Sequence, residues 1–397
     1  MTKKCIFLTG ATGYLGSNLL PEFVKSGYRL KLLVRPQKMS SHERVAQSLL
    51  KIGNKQLTVS QIMQKIEILE GDIVTKNLGL SKSVIQNLSK EVTDVFHCAA
   101  AVSFDEEKES FLRKHNINGT ENILSFTDML DNTHLHYMST AYVCGSRKGA
   151  VKENELDVGQ GFYNSYERIK NQAESLTMDW TEKNKKITTV YRPSIIVGDS
   201  KTAGNFSNYG PYGILRMIDL SVSRLKHIYK KKNLVFKNND IKMQDDIFYI
   251  PIRVIGRYEK PLNLITVDYA VKAIMSIFKN DNNIGKTYHI TNSCPPTVGM
   301  LKDCIFDILK ARGVKFVDAK VFDKKPMKIW ESTFNRNIKL YQPYLLFDEP
   351  NFDTVNTQNV LRNKDIKQVK LDKNLITKLL AYCHSTKYGK ISNPPDK

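Results

Sequence analysis

Apolar residues fall into short, nearly continuous runs, and between these runs they recur every three or four positions. The runs Cys5–Leu8, Arg29–Val34, Ile66–Glu70, Val92–His97 and Leu135–Met138 have the length and continuity of strands buried on both faces. Helical spacing predicts helices over Tyr14–Gly27, within residues 36–65 (Val45, Leu49, Leu50), over Asn116–Met129 and over Tyr163–Asn184. Strand and helix therefore alternate through the first 190 residues. The pattern predicts an α/β fold with a Rossmann-like, doubly wound parallel sheet.

Further along, residues 267–279 read as an amphipathic helix, Lys286–Thr291 as a strand for the sheet edge, and Val298–Arg312 as a helix. Beyond Val314 the alternation fades, although Ile329-Trp330 and Tyr341–Phe347 are apolar enough to pack. The expected organisation is one α/β domain over residues 1–300, with an insertion at 200–260, and a smaller substrate-binding lobe formed mainly by residues 301–397. The last dozen residues are polar, carry Pro394-Pro395 and are expected to fray.

Composition changes this picture little. An apolar fraction of 41% and a charged fraction of 25% are those of a water-soluble globular chain. No apolar stretch reaches the ~18 residues of a membrane span. The first strand begins after only three residues, which leaves no room for a leader peptide. The six cysteines form no Cys-x-x-Cys pair and no metal-ligand spacing, so no metal is expected, and a reducing, cytoplasmic setting is.

The first strand runs into Thr9-Gly10-Ala11-Thr12-Gly13-Tyr14-Leu15-Gly16. Each glycine answers a steric demand of a strand–turn–helix that binds a dinucleotide: Gly10 for the tight turn, Gly13 for approach of a pyrophosphate, Gly16 for close packing of helix on sheet. The N–H groups and positive dipole end of the following helix face the phosphates. The second strand ends in Arg35-Pro36, where an acid would bind a ribose 2′-hydroxyl and an arginine suits a 2′-phosphate. Arg35 thus favours NADP over NAD. Small residues after the fourth strand, Ala99-Ala100-Ala101, let a cofactor lie against the backbone.

Candidate chemistry follows. Tyr166 and Lys170 stand four apart, on one helical face. A tyrosine with a pKa near ~10 is a poor acid or base at neutral pH, and a neighbouring ammonium pulls it toward the working range. Lys170 can also hold the nicotinamide ribose. Thr140, at the end of the fifth strand, supplies a hydroxyl to a substrate oxygen. Taken alone, Tyr-x-x-x-Lys is an ordinary exposed pair; its place after a glycine-rich loop gives it weight.

Thr9–Gly16, Ser139-Thr140-Ala141 and Tyr166-x-x-x-Lys170 together resemble the extended short-chain dehydrogenase/reductase superfamily. Further stretches resemble its fatty acyl-CoA reductase and thioester reductase branch, of the male sterility type. These are Gly71-Asp72-Ile73 leading to Asn77–Ser81, Phe96–Asp105, Asn116-x-x-Gly119-Thr120, Tyr191–Asp199 and Leu264–Ala270. The resemblance covers about residues 3–300. It implies Gly10, Gly13 and Gly16 on the pyrophosphate, Arg35 on the 2′-phosphate, Asp72-Ile73 on the adenine, and Ala99–Ala101 along the cofactor. It also implies Pro193, Ser194 and Ile195 near the nicotinamide, Asn116 orienting the lysine through water, and Thr140, Tyr166 and Lys170 as the catalytic set. Cys144 departs from the pattern, since the superfamily usually has a tyrosine there. The basic segment 222–260 has no counterpart from which substrate contacts can be carried over.

The implied activity is NADPH-dependent reduction of an acyl thioester to an aldehyde or alcohol. Two other readings stay open: a nucleotide-sugar epimerase or dehydratase, and a non-catalytic NADP-binding scaffold. The Leu78–Ser81 stretch and Arg35 count against the first, the intact Thr-Tyr-Lys set against the second. A net charge of +20, with Lys230-Lys231-Lys232 at its densest, lacks any nucleic-acid reader module. It suits an anionic partner: NADPH, CoA, an acidic carrier protein or a peripheral membrane contact. A lysine-rich proteome produces the same charge without function. Oligomeric state is not legible in the chain.

Overall fold

The computed structural model describes residues 4–53, 56–205, 207, 209–231, 241–362 and 364–389. Lys232 of the lysine run, part of the basic segment (232–240) and the polar end (390–397) lie outside the described residues. The chain divides into two compact units: residues 1–204, 265–292 and 350–369 form the first, and residues 205–264, 293–349 and 370–397 the second.

The first unit holds β1 (Cys5–Thr9), α1 (Tyr14–Lys25), β2 (Arg29–Val34), α2 (Ser41–Ile52), β3 (Ile66–Glu70) and α3 (Lys82–Glu91). It continues with β4 (Asp94–His97), α4 (Gly119–Asp128), β5 (His134–Met138), α5 (Ser165–Lys183), β6 (Thr188–Pro193), α6 (Val267–Phe278), β7 (Thr287–Ile290) and α7 (Val355–Leu361). The seven strands make one sheet in the order β3-β2-β1-β4-β5-β6-β7, with every neighbouring pair parallel. Strand order reverses between β1 and β4, and a crevice at their carboxyl ends is where such sheets bind ligands. Both faces are covered. Phe7 of β1 meets Phe126 of α4 with ring centroids 4.6 Å apart, while Phe96 of β4 packs edge-on against Phe23 of α1 and Phe278 of α6. That double burial is why the strands read as unbroken apolar runs.

The segment 350–369 returns to the first unit, so the tail is not a lobe by itself as the boundary at residue 300 supposed. Two polar contacts explain the return. Phe352 pairs in parallel with Val151, and the buried Glu153 carboxylate accepts N–H bonds from His289 (2.9 Å) and from Asn356 at the start of α7 (2.7 Å). A carboxylate at a helix N-terminus satisfies donors that the helix itself leaves unpaired.

The second unit has its own sheet, in which Ile247–Ile255 pairs antiparallel with Lys242–Gln244 and parallel with Ala311–Val317. The helices Pro211–Lys230, Val298–Ile308, Ile329–Ile338 and Lys373–Ser385 belong to the same unit. The helix expected over Val298–Arg312 stops at Ile308; Lys310 turns the chain with φ 47°, and Ala311 starts a strand. Among the described residues no helix is long and apolar enough to cross a membrane.

Candidate active site

The loops at the carboxyl ends of β1, β4, β5 and β6 carry most of the sequence-predicted residues, because parallel strands deliver all their carboxyl ends to one edge. After β1, Gly10 turns with φ +77°; a side chain there would meet the Cys98–Ala99 backbone at 2.7 Å. A Cβ on Gly16 would lie 2.2 Å from the Gly10 carbonyl oxygen, so this glycine admits the turn itself rather than the sheet. Gly13 stands at the N-cap of α1 without a capping side chain, and the first turn carries no acid. The N–H groups at that end have no intrahelical acceptor.

Several of the predicted residues also brace the loops. The Thr9 hydroxyl is buried, 2.8 Å from His97 Nδ1, and accepts the Ala99 N–H at 3.2 Å, tying β1 to the loop after β4. Asn116 accepts the Ala101 N–H through Oδ1 (2.7 Å) and donates Nδ2 to the Ala101 carbonyl (2.9 Å). Its amide thus clamps the Ala99–Ala101 loop, where the resemblance implied a water-mediated reach to the lysine. It sits in a π-helical turn, Lys114–Asn118, which widens the helix at that point. Tyr14 donates to the Val197 and Gly204 carbonyls, each at 3.1 Å, and Ser48 of α2 donates to the Thr12 carbonyl. Leu15 is half-buried. Asp72 accepts the Val74 N–H, and Ile73 is buried against Gly119.

Arg35 is exposed at the end of β2, away from the catalytic candidates. The structure adds a second guanidinium, since Arg44 of α2 donates to the Arg35 carbonyl. Burial pulls Arg44 below its usual value, and the Arg35 charge acts in the same direction. Arg44 was not found from the sequence, because only the turn between β2 and α2 brings the two together.

Ala173 of α5 packs on Tyr137 and Val190, seating the helix over β5 and β6. The buried Lys170 ammonium therefore points at β5 and donates to Tyr137 Oη (3.1 Å) and the Met138 carbonyl (3.0 Å). Tyr166, one turn earlier, is half-buried with its ring 6.0 Å from that of Phe104. Burial lowers the Lys170 pKa, and the charges that Tyr166, Glu174 and Cys98 acquire on ionising oppose the shift. His97 is driven down to about 3 by burial and by Lys170, and Cys98 up to about 12 by burial, so both stay neutral across the working pH range. Tyr137 escaped the sequence reading as one aromatic among the apolar residues of β5; burial raises its pKa, so it remains a phenol.

Thr140 is buried just past β5, accepts the Tyr142 N–H and donates to the Pro193 carbonyl at 3.4 Å. Next to it the Ser194 hydroxyl is buried with no partner, and Ile195 is half-buried. Cys144 packs with Ala141, Val151 and Phe352, so its departure from the superfamily tyrosine serves the core. These features fit a dinucleotide. A turn that a Cβ would fill, an uncapped helix end, an unpartnered buried hydroxyl and the Arg44 guanidinium held against the Arg35 backbone are the donors and the space such a cofactor requires.

The fold and the family match define a Rossmann-like NAD(P)-binding domain of the extended short-chain dehydrogenase/reductase kind. The chain belongs to the male sterility protein family of NAD-binding domains, whose family model matches residues 8–274. It is 28% identical over 323 residues to the nonribosomal peptide synthetase asaC of Aspergillus flavus, covering 76% of this chain and 28% of that protein. It is also 28% identical over 152 residues to fatty acyl-CoA reductase 1 of Gallus gallus, covering 36% of this chain and 29% of that one. The chain thus spans less than a third of the length of either relative. Among solved structures, the terminal R domain from the myxalamid PKS-NRPS biosynthetic pathway shares the fold, with a TM-score of 0.76, 22% identity, and coverage of 98% of this chain and 93% of that one.

Proposed function

We propose that this protein is an NADPH-dependent reductase that converts an acyl thioester, carried by CoA or by an acidic carrier protein, to the aldehyde and, with a second hydride, to the alcohol. The observation that supports the reading is that the Gly10 turn, Thr140 and the Lys170 ammonium, bonded to the Met138 carbonyl, lie at the carboxyl ends of β1 and β5, with Tyr166 one turn before Lys170, in a chain whose relatives include a fatty acyl-CoA reductase. The bound nicotinamide supplies the hydride for the thioester carbonyl carbon. Tyr166 and Thr140 donate to the carbonyl oxygen as negative charge builds there, Tyr166 gives up its proton to form the hemithioacetal, and the Lys170 charge makes the resulting phenolate less costly. The hemithioacetal then breaks its C–S bond, releasing the CoA or carrier thiol and the aldehyde. Gly10, Gly13 and the first turn of α1 hold the pyrophosphate, and Ser194 donates to the nicotinamide amide. The second unit, with an apolar pocket lined by Ile218, Val254, Leu301, Phe306 and Phe334, is the acyl lobe. The basic charge draws in CoA, a carrier protein or an anionic membrane surface, and six cysteines that form no disulfide suit a reducing cytoplasm.

The test is turnover of a panel of acyl-CoA and acyl-carrier thioesters with NADPH, following absorbance loss and products. Turnover of UDP- or GDP-sugars, with none of the thioesters consumed, would reverse the assignment toward the epimerases.

Arg35 and Arg44 read the cofactor's 2′-phosphate, because Arg44 is held against the Arg35 backbone and a dianion there offsets the two like charges. Alanine at either position should weaken NADPH binding by about 1.5–3 kcal/mol, the scale of a charge-assisted hydrogen bond, and leave NADH nearly unaffected. Fluorescence titration with both cofactors checks this. Equal losses for the two would mean that the arginines support the loop instead.

A further inference from the structure

Glu174 lies two turns past Tyr166 and one past Lys170 on α5, and it is fully buried. A buried carboxylate is costly unless it is paired and hydrogen-bonded. Here one oxygen accepts from the Ser139 hydroxyl, and the other accepts Arg192 Nε at 2.9 Å and Nη2 at 2.6 Å. Arg192 is itself buried, with Nη1 donating to the Glu153 and Glu155 carbonyls and 3.3 Å from His289 Nε2. The two groups that Glu174 grips are the direct chain neighbours of the reacting region. Ser139 precedes Thr140, and Arg192 precedes Pro193, the carbonyl of which accepts from Thr140. One carboxylate therefore ties the carboxyl ends of β5 and β6 together at the point where Thr140 is set.

From this geometry we infer that Glu174 is a positioning residue, which fixes Thr140 against Pro193 and sets its side chain one helical turn from Lys170. The inference rests on Thr140, Tyr166 and Lys170 being the catalytic set. Lys170 is faced by Tyr166 and Glu174 from its own helix, by His97 and Cys98 from the end of β4, and by Tyr137 from β5. His97 and Cys98 stay neutral, and Tyr137 stays a phenol. Tyr166 and Glu174 act against the downward push of burial on the ammonium, and Arg192 holds the Glu174 side chain in place.

The test follows Lys170 itself, by pH titration of its side-chain Cε resonance in the full chain, assigned by its loss in Lys170→Arg. This readout needs no turnover. In Glu174→Gln the amide keeps the shape and one hydrogen bond but removes the charge, so the Lys170 midpoint should fall by about one pH unit. The alkaline limb of the pH–rate profile should move down with it. A defect of packing alone would lower kcat without moving either. Ser139→Ala breaks the tie to Thr140 and leaves the Glu174–Arg192 pair; kcat should drop about tenfold with the Lys170 midpoint unmoved. An unchanged midpoint in Glu174→Gln, or wild-type kcat in Ser139→Ala, overturns the inference. Should Glu174→Gln fail to fold, Ser139→Ala decides. Undiminished turnover in Tyr166→Phe brings down the catalytic set instead, a result that the titration of Lys170 keeps separate.

Discussion

Tyr166→Phe is expected to lower the rate of thioester reduction by about 10²–10³, the scale of losing one oxyanion donor. The reason is geometric. Tyr166 is half-buried against Phe104, and phenylalanine keeps that ring contact while removing the hydroxyl, so fold and cofactor affinity should survive. Lys170 donates to Tyr137 and the Met138 carbonyl, which holds its charge one helical turn from the phenol whatever the substrate does. Lys170→Ala should therefore cost both rate and cofactor affinity, and it should loosen β5 against α5 as well. The double variant should be little worse than the worse single one, since residues that act as a unit are not additive. The measurement is kcat relative to wild type at saturating NADPH. A thioester carbonyl is electrophilic enough for some background reduction, so product alone decides nothing. Near-normal turnover by Tyr166→Phe would show that another group protonates the substrate oxygen.

Gly16→Ala should be among the most damaging single methyl additions in the first unit. Its Cβ would stand 2.2 Å from the Gly10 carbonyl oxygen and 2.9 Å from the carbonyl carbon, and both are backbone atoms of a turn. Gly10 cannot retreat, because its Cα already faces Cys98 and Ala99 at distances that exclude a Cβ. The helix must then rise off the turn, at a cost of about 3 kcal/mol. The same displacement moves the first-turn N–H groups away from where a pyrophosphate would bind. A lower melting temperature and at least about tenfold weaker binding of both NADPH and NADH are expected. Loss for both cofactors alike separates this effect from that of Arg35 and Arg44. Wild-type melting and affinity would mean that the turn relaxes freely.

Much of the candidate site was legible because its signals are local. Gly10–Gly16, Ser139-Thr140 and Tyr166-x-x-x-Lys170 each occupy a few consecutive residues at a strand end or on one helical face. Of the second unit only the helix that starts at Val298 was legible. The unit's central strand, Ile247–Ile255, follows a basic stretch and reads in the sequence as part of an insertion. The partner strand, Ala311–Val317, carries Arg312, Gly313 and Lys315 and reads as the end of a helix. A Cβ on Gly313 would lie 2.4 Å from the Ile250 carbonyl oxygen, a reason for glycine that exists only once the two strands are paired.

By itself the sequence determined the parallel sheet, the order of its loops and the residue types at its carboxyl edge, since buried strands write themselves as apolar runs and tight turns as glycines. What only the tertiary structure decided is whom those residues touch. Asn116 closes on Ala101, Arg44 reaches Arg35, Lys170 turns to Tyr137, and Glu174 joins Ser139 to Arg192. Except for Arg35 and Arg44, nine apart, these partners stand fifteen or more residues apart in the chain. A buried polar side chain must find a partner, but its own neighbourhood in sequence does not say which, because the choice is made by strands and helices that meet only when the chain has folded.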